Sequence, residues 1–147
     1  MFHLLKSEQI AAYLFSFNPE PGTVMENAPR VPIARTRRIQ LVKNLIESHD
    51  LKEEAIEFDD YGAIRSIDAP LKFLDRVTNQ GVAFMTDGCP DRQGEMACNR
   101  PYGSYRPGEE FRDYPFLPQA SELEVIRGEM KLDLSLIHIS EPTRLSW

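Results

Sequence analysis

Residues 53–85 read EEAIEFDDYGAIRSIDAPLKFLDRVTNQGVAFM, and the order of elements in this stretch decides the fold. Glu53 to Phe58 predicts a short strand ending in the acidic turn Asp59-Asp60-Tyr61-Gly62, because Ile56 and Phe58 give way to turn-favouring residues. Asp68 then stands where it can cap a helix, with Pro70 near the first turn. Ile67, Leu71, Leu74 and Val77 keep one apolar face until Gly81 terminates the helix. Val82-Ala83-Phe84-Met85 follows as the next strand.

Upstream, Ala11-Ala12-Tyr13-Leu14-Phe15-Ser16-Phe17 is apolar and aromatic-rich and is stopped by Asn18-Pro19-Glu20-Pro21-Gly22, which predicts a buried strand running into a loop. Ile39, Leu41, Val42, Leu45 and Ile46 set an apolar stripe at helical spacing and predict a helix from Ile33 to His49. Strand, helix, strand, helix, strand, with crossovers longer than about a dozen residues, implies parallel pairing and right-handed connections. The expected fold is α/β: a partial (β/α) barrel of about three parallel strands with helices, followed by a long irregular loop and a short helix. Such a slice lacks the cover that a parallel sheet needs on both faces, so the rest of the barrel, its N-terminal half, is expected upstream.

From Thr86 to Pro118 the periodicity disappears into a segment with four of the eight glycines and five of the eleven prolines. Its aromatics Tyr102, Tyr105, Phe111, Tyr114 and Phe116 suggest a packed functional loop rather than a free linker. Ser121-Glu122-Leu123-Glu124 reads as a capping box opening a last helix with Leu123, Ile126 and Met130. The expected divisions are 1–86 as the barrel slice, 87–133 as the Cys/Pro/Tyr-rich loop and terminal helix, and 134–147 as a tail.

Leu134-Ser135-Leu136-Ile137-His138-Ile139-Ser140-Glu141-Pro142-Thr143-Arg144 resembles the conceptual translation of a transposase-type sequencing adapter, matching eleven consecutive residues. On that reading the tail is not native, His138 drops out of any catalytic argument, and Met1 can be an internal methionine of a longer chain.

Hydrophobic residues at 41% and charged ones at 27% give a globular balance, and a net charge of -6 opposes a phosphate-binding surface, so no nucleic-acid partner is expected. The local exception, Arg35-Thr36-Arg37-Arg38, reads as the solvated start of a helix. No apolar run approaches the roughly 20 residues of a membrane span, and the N-terminus lacks a signal peptide's order, so a cytoplasmic chain with no membrane partner is expected. In that setting Cys89 and Cys98 read as thiols or metal ligands before a structural disulfide.

In a βα barrel the loops after the strands form the active face. Those loops hold Asn18 and Glu20, then Asp59, Asp60 and Tyr61, then Thr86, Asp87 and Cys89. Asn18, Glu20, Asp59 and Asp60 suit directional binding of a polar small-molecule substrate or cofactor, although Asp and Gly are equally ordinary turn residues. Arg65 offers a planar fork to a carboxylate or phosphate, or pairs with a nearby acid. Cys89 and Cys98, eight residues apart, can offer two thiolates to zinc or iron, but a complete site needs further ligands from Asp87, Asp91, Glu95 or the upstream half.

Phe17-Asn18-Pro19-Glu20-Pro21-Gly22-Thr23, the helix Arg37-Arg38-Ile39-Gln40-Leu41-Val42-Lys43 and the strand around Ile56-Glu57-Phe58 resemble, in this order, later barrel segments of radical S-adenosylmethionine enzymes of the biotin synthase-like branch. Phe84-Met85-Thr86-Asp87-Gly88-Cys89-Pro90 and Cys98-Asn99-Arg100-Pro101 resemble a C-terminal feature of some proteins of that group. The resemblance implies a parent enzyme with a [4Fe–4S] cluster and S-adenosylmethionine, to which this chain contributes barrel wall and lid. The family's Cys-x-x-x-Cys-x-x-Cys run is absent from this sequence. Two other readings stand beside it: a non-catalytic accessory or partner-binding domain, and a fragment of a metal-dependent barrel lyase.

Overall fold

A computed structural model describes residues 1–99 and 112–132. The expectations for Arg100, Pro101, Tyr102, Tyr105, Phe111 and the 134–147 tail lie outside the described residues. The elements in chain order are α1 (Phe2–Ser7), α2 (Ile33–His49), β1 (Ile56–Phe58), β2 (Ile64–Ile67), α3 (Leu71–Gln80), β3 (Cys89–Pro90), β4 (Met96–Cys98) and α4 (Ala120–Met130). Single 3₁₀ turns cover Glu53–Ala55 and Val82–Phe84.

The partial parallel barrel is overturned. The described strands form two separate two-stranded sheets, β1–β2 and β3–β4, both antiparallel. What reverses the chain after β1 is the turn itself. Asp59 Oδ1 accepts hydrogen bonds from the Tyr61 and Ala63 amides at 2.8 and 2.9 Å, Gly62 N–H donates to the Asp59 carbonyl at 3.0 Å, and Gly62 takes a φ of +76°. Asp at the first position of a type I turn followed by a left-handed Gly is a short hairpin connection, so Ile64–Ile67 folds straight back on Ile56–Phe58. Asp59→Ala is expected to destabilise the protein by about 1 kcal/mol, the net worth of such bonds. The Tyr61 and Ala63 amides should lose hydrogen-exchange protection selectively; unchanged protection would show that the carboxylate does not hold the turn.

The strand expected at Ala11–Phe17 is also absent. The segment alternates outward and inward residues from Ala11 to Ser16, as a strand would, but no neighbouring strand offers a ladder. Among the described residues its backbone is held by Leu14 N–H donating to Asp87 Oδ2 at 3.3 Å. At Val82–Met85 the chain forms a 3₁₀ turn instead of a strand. Gly81, left-handed at φ +74°, ends α3, and Phe84 N–H then reaches back to the Gly81 carbonyl at 3.1 Å. Asp68 does not cap α3: its amide donates to the Ala55 carbonyl at 2.7 Å, and Pro70 occupies the cap position. The terminal capping box sits two residues earlier than expected, with Glu122 Oε2 accepting from Gln119 N–H at 2.7 Å.

The helices follow their apolar stripes. Leu41, Val42, Leu45 and Ile46 of α2 meet Phe73, Leu74 and Val77 of α3 and Leu123, Ile126 and Met130 of α4, with Ile64, Ile67 and Phe84 filling between them. At the C-terminus of α2, His3 Nε2 bonds the Leu51 carbonyl at 2.8 Å and Lys6 Nζ the Ile46 carbonyl at 2.9 Å, placing cationic and polar groups where helix carbonyls end. Lys6 also pairs with Asp50 and holds its carboxyl below the usual range.

The basic cluster on α2 is not a solvated face. Arg35 is exposed, but Arg38 donates to the carbonyls of Met130, Lys131 and Ile64, closing the end of α4 and tying it to β2. Arg37 is fully buried and donates to Glu129 Oε2 at 2.7 Å, to Gln40 Oε1 at 3.0 Å and to the Arg112 carbonyl. Its guanidinium lies 5.6 Å from the centre of the Tyr114 ring. Burial pushes the Tyr114 phenol above its ordinary pKa, against the opposing pull of Arg37.

Candidate functional site

Gln40, Lys43, Asn44, Glu47 and Ser48 recur at the three- and four-residue spacing that places them along one side of α2, beside the apolar stripe. They line one wall of a cleft of about 220 Å³. The other wall comes from Leu14, the 82–85 turn, Asp87 and Asp113. Gly81 turns the chain at the end of α3, and the backbone from Phe84 to Thr86 then runs beside Tyr114, with Tyr114 N–H to Phe84 O at 3.0 Å and Thr86 N–H to Tyr114 O at 2.8 Å. That bridge brings Asp87 and Asp113 to the same cleft.

Lys43 is the centre of charge. Its ammonium is largely buried, 2.9 Å from Glu47 Oε2 and 3.4 Å from Asp87 Oδ1. Gln40 Nε2 donates to Asp113 Oδ1 at 2.7 Å and to the Arg112 carbonyl at 2.9 Å, so the floor is orientated by a buried amide. The lining therefore holds three carboxylates, of Glu47, Asp87 and Asp113, against one ammonium. Leu14, Gln40 and Asp113 also border a smaller, apolar slot of about 100 Å³ that includes Phe15, Val31 and Ile39. The polar cleft and the apolar slot share these three residues in their linings.

Asp87, one of the loop residues expected from the sequence, lines the cleft, whereas Asn18, Glu20, Asp59, Asp60, Arg65, Cys89 and Cys98 line neither the cleft nor the slot. Asn18 and Glu20 lie in the N-terminal loop; the Asn18 side chain is half-buried, and its Oδ1 has no hydrogen-bond partner among the described residues. Asp59 is spent on its turn, Asp60 is exposed at the hairpin tip, and Arg65 pairs with Glu57 at 3.6 Å on the surface. Cys89 and Cys98 are brought together: both are exposed, reduced, and direct partners across β3–β4. Two of the acids that could have helped complete a metal site around them, Asp91 and Asp87, are engaged elsewhere. Asp91 accepts from the Gln93 and Glu95 amides, and Asp87 from Leu14 and Lys43. Among the described residues no group of three or more His, Cys, Asp or Glu side chains could hold a metal ion.

The helix stripe 40/43/44/47/48 is the feature that sequence reasoning passed over. Polar residues flanking an apolar stripe are what any surface helix shows, and only the packing of Asp87 and Asp113 against this one turns it into a cleft wall. Among the described residues no helix is long and apolar enough to cross a membrane. No known protein family, curated protein or solved structure matches the chain.

Proposed function

We propose that the protein is a small-molecule-binding module whose ligand is an organic cation, an ammonium or guanidinium carrying a short apolar arm. The observation that supports this reading is that the carboxylate-lined cleft lies against the apolar slot, the two sharing Leu14, Gln40 and Asp113. The cation sits among Asp87, Glu47 and Asp113, in part replacing Lys43 as the partner of Asp87, and the arm runs past Leu14 towards Val31 and Ile39. Asn44 adds a carboxamide with both donor and acceptor capacity at the rim. A barrel-wall role would need parallel strands, and the described strands pair antiparallel.

Amide NMR titration with a size-matched trio, butylammonium, butyrate and butanol, tests the proposal. Butylammonium should shift the resonances of residues 40–48 and 85–87, more weakly at high salt, and Asp87→Asn should reduce the response at least several-fold. Equal shifts with butyrate, or no shifts at tens of millimolar ligand, would sink it.

A further inference from the structure

We propose that Cys89 and Cys98 form a reversible redox pair, a dithiol that closes to an intramolecular disulfide across the base of the β3–β4 hairpin by exchange with a small disulfide of the glutathione class. The geometry begins in the turn. Asp91 N–H donates to the Glu95 carbonyl at 2.7 Å, Gly94 N–H to the Asp91 carbonyl at 3.2 Å, and Asp91 Oδ1 accepts from the amides of Gln93 and Glu95 at 2.8 and 3.0 Å. Gly94 takes the left-handed position at φ +85°. This is the Asp-x-x-Gly turn of the first hairpin repeated, and it fixes the register of the strands that leave it.

In that register Cys89 faces Cys98 and Pro90 faces Met96, with the irregularity between them absorbed by Ala97. Direct partners share a face of the ribbon, and successive residues of a strand point to opposite faces. Met96 and Pro90 therefore occupy one face and the two thiols the other. The Met96 side chain bears this out by lying on Gly88: a Cβ at that glycine would stand 3.0 Å from Met96 Cγ and 3.1 Å from its sulfur. The thiol face stays open, and both cysteines are exposed.

Cross-strand partners in an antiparallel pair have Cα atoms roughly 4.5 or 5.5 Å apart. A disulfide takes Cα separations of about 4.4–6.8 Å, so the pair can be bridged without moving the backbone far. The exchange balances without further reactants. One cysteine thiolate attacks the small disulfide, forming a mixed disulfide and releasing one thiol. The second cysteine thiolate attacks the protein sulfur of that mixed disulfide, forms the Cys89–Cys98 bond and releases the second thiol. Two protein thiols lose two electrons and two protons, which the small disulfide gains.

The test equilibrates the full chain anaerobically in glutathione buffers of graded ratio, followed by acid quench, alkylation and mass spectrometry. The expected product is a monomer two hydrogens lighter, with Cys89 and Cys98 in one linked peptide, restored by dithiothreitol and following a two-electron dependence on the buffer. The folded chain should favour the internal bridge over glutathionylated forms by about tenfold more than the urea-unfolded chain, the advantage of a preset loop. Asp91→Ala should lose much of that advantage while leaving both cysteines in place. Glutathione on both cysteines with no internal bridge, bridging between chains only, or the same ratio in the folded, unfolded and Asp91→Ala chains would each overturn the proposal.

Discussion

Arg37→Met is expected to lower the unfolding free energy by about 3–5 kcal/mol, the range seen when one member of a buried ionic network is removed. The guanidinium has no exposed surface, so methionine replaces its volume but none of its bonds. Glu129 loses a partner at 2.7 Å, and the Arg112 carbonyl loses one of the two donors, the guanidinium of Arg37, that it shares with the Gln40 amide. Those contacts join α2 to α4 and to residues 112–114, so the loss reaches the far wall of the cleft through Asp113. Arg37→Lys keeps the charge without the planar fork and should fall between the two. Urea unfolding followed by circular dichroism measures all three, and a midpoint for Arg37→Met within error of the parent would show that the network does not hold these segments together.

The helices α2, α3 and α4 were legible because each is written in its own periodicity, whereas the six-residue α1 is too short to carry one. Ile33–His49 begins and ends where its stripe and prolines place it, and the helix after Pro70 stops at Gly81, where a left-handed residue is needed. The strands failed for one identifiable reason. Residues 59–81 look like a crossover long enough to return parallel only if Ile64-Arg65-Ser66-Ile67 is ignored as a strand, and Ile67, which falls in register with the apolar stripe of α3, belongs to β2. Asp59-Asp60-Tyr61-Gly62 was recognised as a turn, but its spacing, Asp with Gly three residues later, is also that of a two-strand reversal. Asp91-Arg92-Gln93-Gly94 carries the same spacing and closes the second hairpin. Two instances of one local motif, read as hairpins, would have replaced the barrel with antiparallel ribbons.

The site was less legible, because a parallel barrel, which the described residues do not form, would place it in the loops after the strands. Of the residues that such a barrel singles out, Asp87 reaches the cleft, whereas Asp59 is spent on its turn and Arg65 on Glu57. The cleft depends on contacts between residues distant in sequence, Lys43 with Asp87 and Gln40 with Asp113, which no local pattern encodes. Arg37 was misplaced by the same limit: three arginines in four residues at a helix start are ordinary on a surface, and only the positions of α4 and Arg112 put one of them inside. The two cysteines can be singled out in the sequence, and Gly88, Pro90, Gly94 and Pro101 allow the loop to fold back and bring them together, but the register that makes them direct partners comes from the Asp91–Gly94 turn.

Phe84→Ala is expected to cost about 3–5 kcal/mol, whereas Val82→Ala should stay within roughly 0.5 kcal/mol. The contrast separates the observed turn from the strand that the sequence suggests. In a buried strand Val82 and Phe84, two residues apart, would point to the same face and both truncations would open cavities. In the 3₁₀ turn Val82 is 53% exposed while Phe84 is 0% exposed, enclosed with the core of α2 and α3. The Phe84 carbonyl meanwhile accepts the Tyr114 amide, so a collapsed side chain at 84 also loosens the bridge that carries Asp87 and Asp113 to the cleft. Thermal unfolding of the two variants beside the parent measures the difference, and comparable losses for Val82→Ala and Phe84→Ala would mean that both side chains are buried and that the turn at Val82–Phe84 is wrong.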